Sequence, residues 1–363
     1  MKILQVCPRY YPYIGGLETH VKEVSERLAK KGLEVEIWTT DPFGTLPKED
    51  MIGNLKIKRF RSWAPNEAYY FSRDLKKCLA KNMGRFDIVH AHGYHAFPAL
   101  YAAQTKSKNK LIFTPHYHGK GHTFFRNLLH IPYRFLAKRL LEKADRIICV
   151  SNYEKSLLTQ NFKVNEEKIL TISNGLNLEE FKALRKQKKD YRAILCVARL
   201  EKYKGIGFLV KVLPKLESDI RLEIVGKGPD SRNLMRLVDR LGIRDGVSFY
   251  QDLPREELLQ RYVNADLFVL LSKYEAYAIS VAEALASKTP CIVSNTSALQ
   301  EWVDNRNCFG IDYPVNIDEL AELVNKVIGK KVEELKLPDW NEIAEKLVNL
   351  YEMLLNLALE GKN

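Results

Sequence analysis

Short apolar runs alternate with amphipathic stretches along almost the whole chain. Residues 2–7 read as a strand, a loop runs on through Gly16, and apolar Leu17, Val21, Val24 and Leu28 then recur at helical spacing as far as Gly32. The strand pattern returns at 33–40, 56–60, 86–92, 110–116, 146–151 and 168–173, with helical stretches between. A second series occupies 193–200, 221–226, 247–251, 267–272 and 291–295. Such alternation builds right-handed strand–helix–strand units on a parallel sheet. The prediction is an α/β protein with two Rossmann-like domains, their parallel sheets facing across a cleft.

The turn Asn174-Gly175 closes the first series, and the charged stretch 178–192 serves as a linker. Domains are therefore expected at 1–178 and 179–338. In the remainder, 339–363, Asp339 caps a final helix long enough to cross back onto the first domain.

Composition agrees with two globular cores. The chain has 363 residues, 46% hydrophobic and 28% charged. No apolar run reaches the eighteen or so residues of a spanning helix, and the opening residues lack the features of a secretion signal, so a cytoplasmic place is expected. The formal charge of +12 is concentrated between residues 51 and 150, where 19 Lys and Arg face 5 Asp and Glu. That field attracts phosphate or an anionic membrane surface, such as the inner face of the cell membrane. Nucleic acid is set aside because no recognised module is visible. Abundant Lys and Glu with few Gln suggest a heat-adapted source.

Cys7, Cys78, Cys149, Cys196, Cys291 and Cys308 stand singly, mostly in apolar runs, and read as buried thiols. With no C-x-x-C and no histidine cluster at metal spacing, neither a disulfide framework nor zinc is expected.

Ligands of such sheets bind beyond the carboxyl ends of the strands. There the stretch 271–284 is the most informative. Glu275 lies in a loop ahead of a helix starting near Ile279, and Glu283 lies about one turn inside it. The N–H groups of Ala278, Ile279 and Ser280 favour an anion such as a diphosphate, with one acid on either side to grip ribose and hexose hydroxyls. A cap or a solvated charge is the plainer reading of each glutamate. Arg199 and Lys204, after the first strand of the second series, suit a clamp for two phosphates. A basic loop is the alternative, and Lys202 reads that way.

Gly15 and Gly16 before a helix let the backbone approach a ligand closely. No G-x-G-x-x-G follows the first strand, and Gly226-Lys-Gly228-Pro lacks the third glycine, which disfavours a nicotinamide enzyme. His90, His92 and His95 follow one strand and His116 and His118 the next. His90 and His92 share a face, but with no carboxylate nearby, metal binding is not expected. His116 reads as a hydrogen-bond partner for a sugar hydroxyl or phosphate, and His90 as a satisfied histidine inside the fold. Segment 123–143 mixes aromatics and leucines with Arg126, Arg134, Lys138, Arg139 and Lys143. It reads as a membrane-surface helix or as a domain helix with one basic face, broken or started by Pro132.

In this order, the motifs resemble the retaining glycosyltransferases of family 4, with the GT-B fold. The likeness runs over nearly the whole chain: Gly15-Gly16 with Glu18, the strand ends at 86–92 and 114–116, the stretch 144–151, Asn174-Gly175, Arg199 to Lys204, the glutamate pair and the helix opening at Trp340. The resemblance implies that Arg199 and Lys204 hold the donor diphosphate, Glu283 the ribose, and Glu275 the transferred sugar. It also implies that His116 contacts the sugar from the other domain and that Gly16 lies near the phosphates and the acceptor. It further implies a UDP- or GDP-hexose donor, a hydroxyl acceptor such as a glycan or lipid-linked glycan, no bound metal and no cofactor. Retention by front-side attack, with the leaving phosphate taking the acceptor's proton, belongs to the same expectation. Where the family carries glycines, this chain has Ser287-Lys288-Thr289 before Pro290, Gln251-Asp252 after 247–250, and no glycine in 296–301. A non-catalytic sugar-nucleotide scaffold and a sugar-nucleotide epimerase are the competing classes. The first would bind donor without turnover, and the second would release altered sugar without an acceptor.

Overall fold

The computed structural model describes residues 1–119 and 124–360, with the side chains of Asn66, 124–132 and 357–360 outside the description. It divides into one unit of Met1–Gly175 with Pro338–Asn363 and another of Leu176–Leu337. Both are open α/β sheets.

In the first unit the elements run β1 (Lys2–Val6), α1 (Gly16–Lys30), β2 (Glu34–Asp41), β3 (Glu49–Ile52), β4 (Leu55–Arg61), α2 (Arg73–Asn82), β5 (Ile88–His92), α3 (Phe97–Thr105), β6 (Lys110–Thr114), α4 (Phe124–Lys143), β7 (Arg146–Cys149), α5 (Asn152–Phe162) and β8 (Ile169–Thr171). The sheet order is β3-β4-β2-β1-β5-β6-β7-β8. All neighbours are parallel except β3, which turns back on β4 through Gly53-Asn54. Within the first unit, this short antiparallel edge strand, with alternate exposed positions, gave no apolar run to read in advance.

Strand alternation sorts the core into two layers. Leu4, Val89, Leu111 and Phe113 pack with residues from α2, α3 and α4. Ile3, Ile37, Ile88, Ile112 and Ile148 pack with Val21, Val24 and Leu28 of α1 and with the chain's last helix. Pro132 does not break α4, which runs unbroken across it. Proline's fixed backbone angle suits a helix and costs one amide donor, while Tyr133, Ala137, Leu140 and Leu141 bury the turns that follow. The side chain of Arg126 lies outside the described residues. Five of the six cysteines are buried free thiols; Cys78 is half-buried.

The second unit follows as α6 (Glu179–Lys182), β9 (Arg192–Val197), α7 (Ile206–Val212), β10 (Ile220–Val225), α8 (Ser231–Leu241), β11 (Val247–Tyr250), α9 (Arg255–Asn264), β12 (Leu267–Leu270), α10 (Ile279–Ala286), β13 (Cys291–Ser294), β14 (Cys308–Ile311) and α11 (Ile317–Val327). Its sheet, β11-β10-β9-β12-β13-β14, is parallel throughout. The charged stretch 178–192 belongs to this unit: Lys186 pairs with Asp266 at 2.7 Å and Lys189 with Glu223 at 2.7 Å.

The last helix, α12 (Trp340–Glu360), returns to the first unit, where it packs against α1. Asp339 accepts the Asn341 N–H at 2.6 Å. Gly175 fits beneath this helix start, since a Cβ there would stand 2.6 Å from the Trp340 nitrogen. No helix among the described residues is long and apolar enough to cross a membrane. Gly175→Ala is expected to lower the stability of the first unit by about 1–3 kcal/mol, an overpacking cost read from its denaturant midpoint.

Candidate functional site

In the second unit the strand ends of β9 and β12 bring two loops together. Gly205 takes a left-handed φ of 70°, and a Cβ on it would fall 2.1 Å from the Leu271 carbonyl oxygen, so no other residue lets these loops meet. The Lys273 N–H donates to the Tyr203 carbonyl at 2.7 Å and fastens them. In consequence Lys204 Nζ and Glu275 Oε1 stand 2.5 Å apart, both side chains largely enclosed. Burial opposes the ammonium charge, but Glu275, Tyr203 and Glu201 outweigh it and hold Lys204 above the usual amine range. Arg199 joins through Glu201, at 3.2 Å, with half of its side chain open to solvent.

Glu275 is itself positioned by its backbone. Its N–H donates to Ser297 Oγ at 3.0 Å, and its carbonyl accepts from the Ala298 N–H at 3.4 Å. The chain then enters α10 through Ala278, left-handed at φ 74°, without any side-chain cap. The first amides of α10, from Ile279 and Ser280, are therefore not capped by a side chain.

Glu283 is nearly buried and faces a different partner from the one the sequence suggested. Arg255 Nη1 stands 2.5 Å from Glu283 Oε1, and the same guanidinium reaches Glu180 at 2.9 Å. Burial works against this guanidinium, yet Glu283 and Glu180 raise its pKa further. Behind it Tyr262 is fully enclosed, its phenol held well above the usual range by burial first and by the Glu283 charge. Arg255, Glu180, Tyr262 and Ser297 are the residues that spacing did not reveal. Only Pro254 ahead of α9 hinted that Arg255 opens a helix.

In the first unit Gly15 is extended, and a Cβ there would meet Glu18 Oε2 at 2.4 Å. Glu18 in turn pairs with the enclosed Arg9 at 2.9 Å, and Arg9 with Glu67 at 2.9 Å. Gly16 has open space where a side chain would stand. His116 adopts a left-handed φ of 51°. Its turn is held on both sides: the Pro115 carbonyl accepts the Tyr94 N–H at 2.6 Å, and the buried Glu154 carboxylate accepts the Tyr117 N–H at 2.5 Å. His90 is satisfied inside the fold, at 2.7 Å from both the Tyr351 hydroxyl and Thr114 Oγ1. His95 and His118 stack at 5.3 Å.

Two sequence families divide the chain at the same place. Glycosyltransferase Family 4 matches residues 14–180, and Glycosyl transferases group 1 matches residues 178–346. This chain is a GT-B glycosyltransferase of the family 4 type. An uncharacterised glycosyltransferase of Methanocaldococcus jannaschii is 27% identical, over 98% of this chain and 99% of its own length. The GDP-mannose:cellobiosyl-diphosphopolyprenol alpha-mannosyltransferase of Komagataeibacter xylinus is 22% identical, over 100% of this chain and 96% of its own. Among solved structures, Anabaena HepE in complex with UDP and glucose shares the fold at a TM-score of 0.78, with 16% identity, covering 97% of this chain and 100% of its own.

The three places where this glycosyltransferase lacks an expected glycine keep a glycine's backbone. Lys288, Asp252 and Ser297 are all left-handed, at φ 61°, 52° and 51°. Asp252 faces Lys227 at 2.7 Å, and Ser297 supplies the hydroxyl that holds Glu275. Lys288 follows the end of α10, a position where glycine avoids strain. Lys288→Gly is therefore expected to stabilise the second unit by about 1 kcal/mol. Ser297→Gly should gain nothing, because strain relief of about 1 kcal/mol is offset by a lost hydrogen bond of similar worth. Urea denaturation of the two variants checks the contrast.

Proposed function

We propose that this glycosyltransferase moves a hexose from a UDP- or GDP-sugar to a hydroxyl acceptor, with retention at the anomeric carbon. The observation that carries this reading is the Lys204–Glu275 pair standing at the strand ends beside Arg199. A cation and an acid so placed suit two neighbours on one donor, the diphosphate and the sugar hydroxyls. Arg199, Lys204 and the amides of Ala278, Ile279 and Ser280 would take the diphosphate, Glu275 the transferred sugar and Glu283 the ribose. His116 and the Gly15–Gly16 loop are the first unit's proposed contributions, to the sugar and to the phosphates and acceptor.

As the bond from the anomeric carbon to phosphate breaks, negative charge grows on the diphosphate. Groups already oriented there stabilise it without reorganisation, so no metal need bridge the phosphates. The acceptor oxygen forms its bond on the face the phosphate leaves, and the departing phosphate oxygen takes the acceptor's proton. The UDP and glucose bound by HepE, and the GDP-mannose named for the Komagataeibacter enzyme, support these donor classes. The latter's diphosphopolyprenol substrate, with the 19 basic residues between 51 and 150, supports a lipid-linked acceptor reached by peripheral contact with a cytoplasmic membrane face.

A panel of labelled UDP-, GDP- and ADP-sugars tests the donor. Glu275→Gln and Lys204→Ala should each lower transfer by about 100-fold or more. Donor hydrolysed or transferred equally well by both variants overturns the assignment, and altered sugar released without acceptor identifies an epimerase instead. The membrane contact is checked by co-sedimentation with anionic vesicles, expected at low salt and lost as salt rises.

A further inference from the structure

Arg255 is the first residue of α9, which begins as the Pro254 carbonyl accepts the Leu258 N–H at 3.0 Å. A cation in the first turn of a helix opposes the helix dipole, and the acids that suit this place, Glu256 and Glu257, follow directly. Helix stability therefore does not account for Arg255; its partners do. Nε and Nη2 both donate to Glu180 Oε2, at 3.0 and 2.9 Å, and Nη1 donates to Glu283 Oε1 at 2.5 Å. Glu180 belongs to α6 and Glu283 to α10, so one guanidinium joins three helices of the second unit. Solvent reaches the Arg255 side chain, 43% exposed, but hardly that of Glu283, at 10%.

A guanidinium carries five N–H groups in a rigid plane, and three of them are committed to these two acids. The pair of bonds to Glu180 fixes the plane, and the bond from Nη1 then fixes Glu283 through Oε1 alone. A carboxylate can accept from two vicinal hydroxyls only when its own plane is correctly turned. The ribose of a nucleoside diphosphate offers such a diol at C2′ and C3′, whereas 2′-deoxyribose offers one hydroxyl there. A site built to hydrogen-bond a hydroxyl rejects the analogue that lacks it, because a buried polar atom is then left unpaired.

We propose that Arg255, anchored by Glu180, is the positioning residue that makes Glu283 selective for ribose over 2′-deoxyribose in the donor nucleotide. The inference rests on the assignment of Glu283 to the ribose made above. It adds the two residues that turn a single carboxylate into a reader of the diol. Without the guanidinium Glu283 is free to rotate, and the second hydroxyl no longer adds to affinity. Lysine replaces Arg255 only in part, since one ammonium has no fork with which to hold both acids.

Calorimetric titration of the full chain with UDP, GDP and their 2′-deoxy forms tests the role. For whichever base binds, the wild type should prefer ribose by about tenfold or more. Arg255→Ala should bring the two forms to within about threefold of each other, by weakening the ribose form, and Arg255→Lys should recover part of the preference. A merely structural defect would weaken both forms alike and keep their ratio, an outcome that overturns the proposal. Should Arg255→Ala not fold, Glu180→Ala decides, because that side chain is 34% exposed and its removal leaves Glu283 paired. There the preference should fall by about threefold, and an unchanged ratio sinks the idea. Binding of neither nucleotide, or a wild type indifferent to the 2′-hydroxyl, would refute the donor reading and this inference with it. A preference that Glu283→Gln abolishes and Arg255→Ala keeps refutes the inference alone.

Discussion

Charge can be stored beside a strand end only if the loops that carry it come close, and the loops after β9 and β12 do so because Gly205 has no side chain. Its approach to the Leu271 carbonyl places Lys204 against Glu275, and the ion pair then fixes both side chains. Removing one member of such an enclosed pair leaves its partner's charge uncompensated, a cost of about 3–5 kcal/mol. Under the proposed assignment, a donor diphosphate beside Lys204 would meet a cation already in place. The same pairing holds the Glu275 side chain in one orientation.

The other acid of the site is set differently. Glu283 lies in α10 with Arg255 across from it, and Arg255 is shared with Glu180. One carboxylate oxygen is thus occupied in the chain alone. The two glutamates, so alike in the sequence, have unlike surroundings: one faces a lysine in a loop, the other an arginine that opens a neighbouring helix.

Most of the architecture was legible in the pattern of apolar runs, because parallel strands buried on both faces leave continuous hydrophobic stretches. β3 was not, since an exposed edge strand carries no such signal, and β14 was missed among short mixed residues. Of the site, Glu275 and Lys204 could be placed from their positions after strands. Their contact could not, because it depends on the conformation of Gly205. Arg255 is distant in sequence from both of its partners, so no local spacing relates them. The substituted glycines were visible as departures, but only backbone angles show that Lys288, Asp252 and Ser297 keep the left-handed conformation.

The return of α12 to the first unit has a consequence for synthesis. Until residues 340–360 leave the ribosome, the sheet face formed by Ile3, Ile88, Ile112 and Ile148 lacks part of its apolar cover. The second unit, Leu176–Leu337, is by then already translated and contains its own core. The half that begins the chain is therefore the last to be completed, and a nascent polypeptide stalled before Trp340 would present a sticky, half-clothed sheet to the quality-control machinery of the cell.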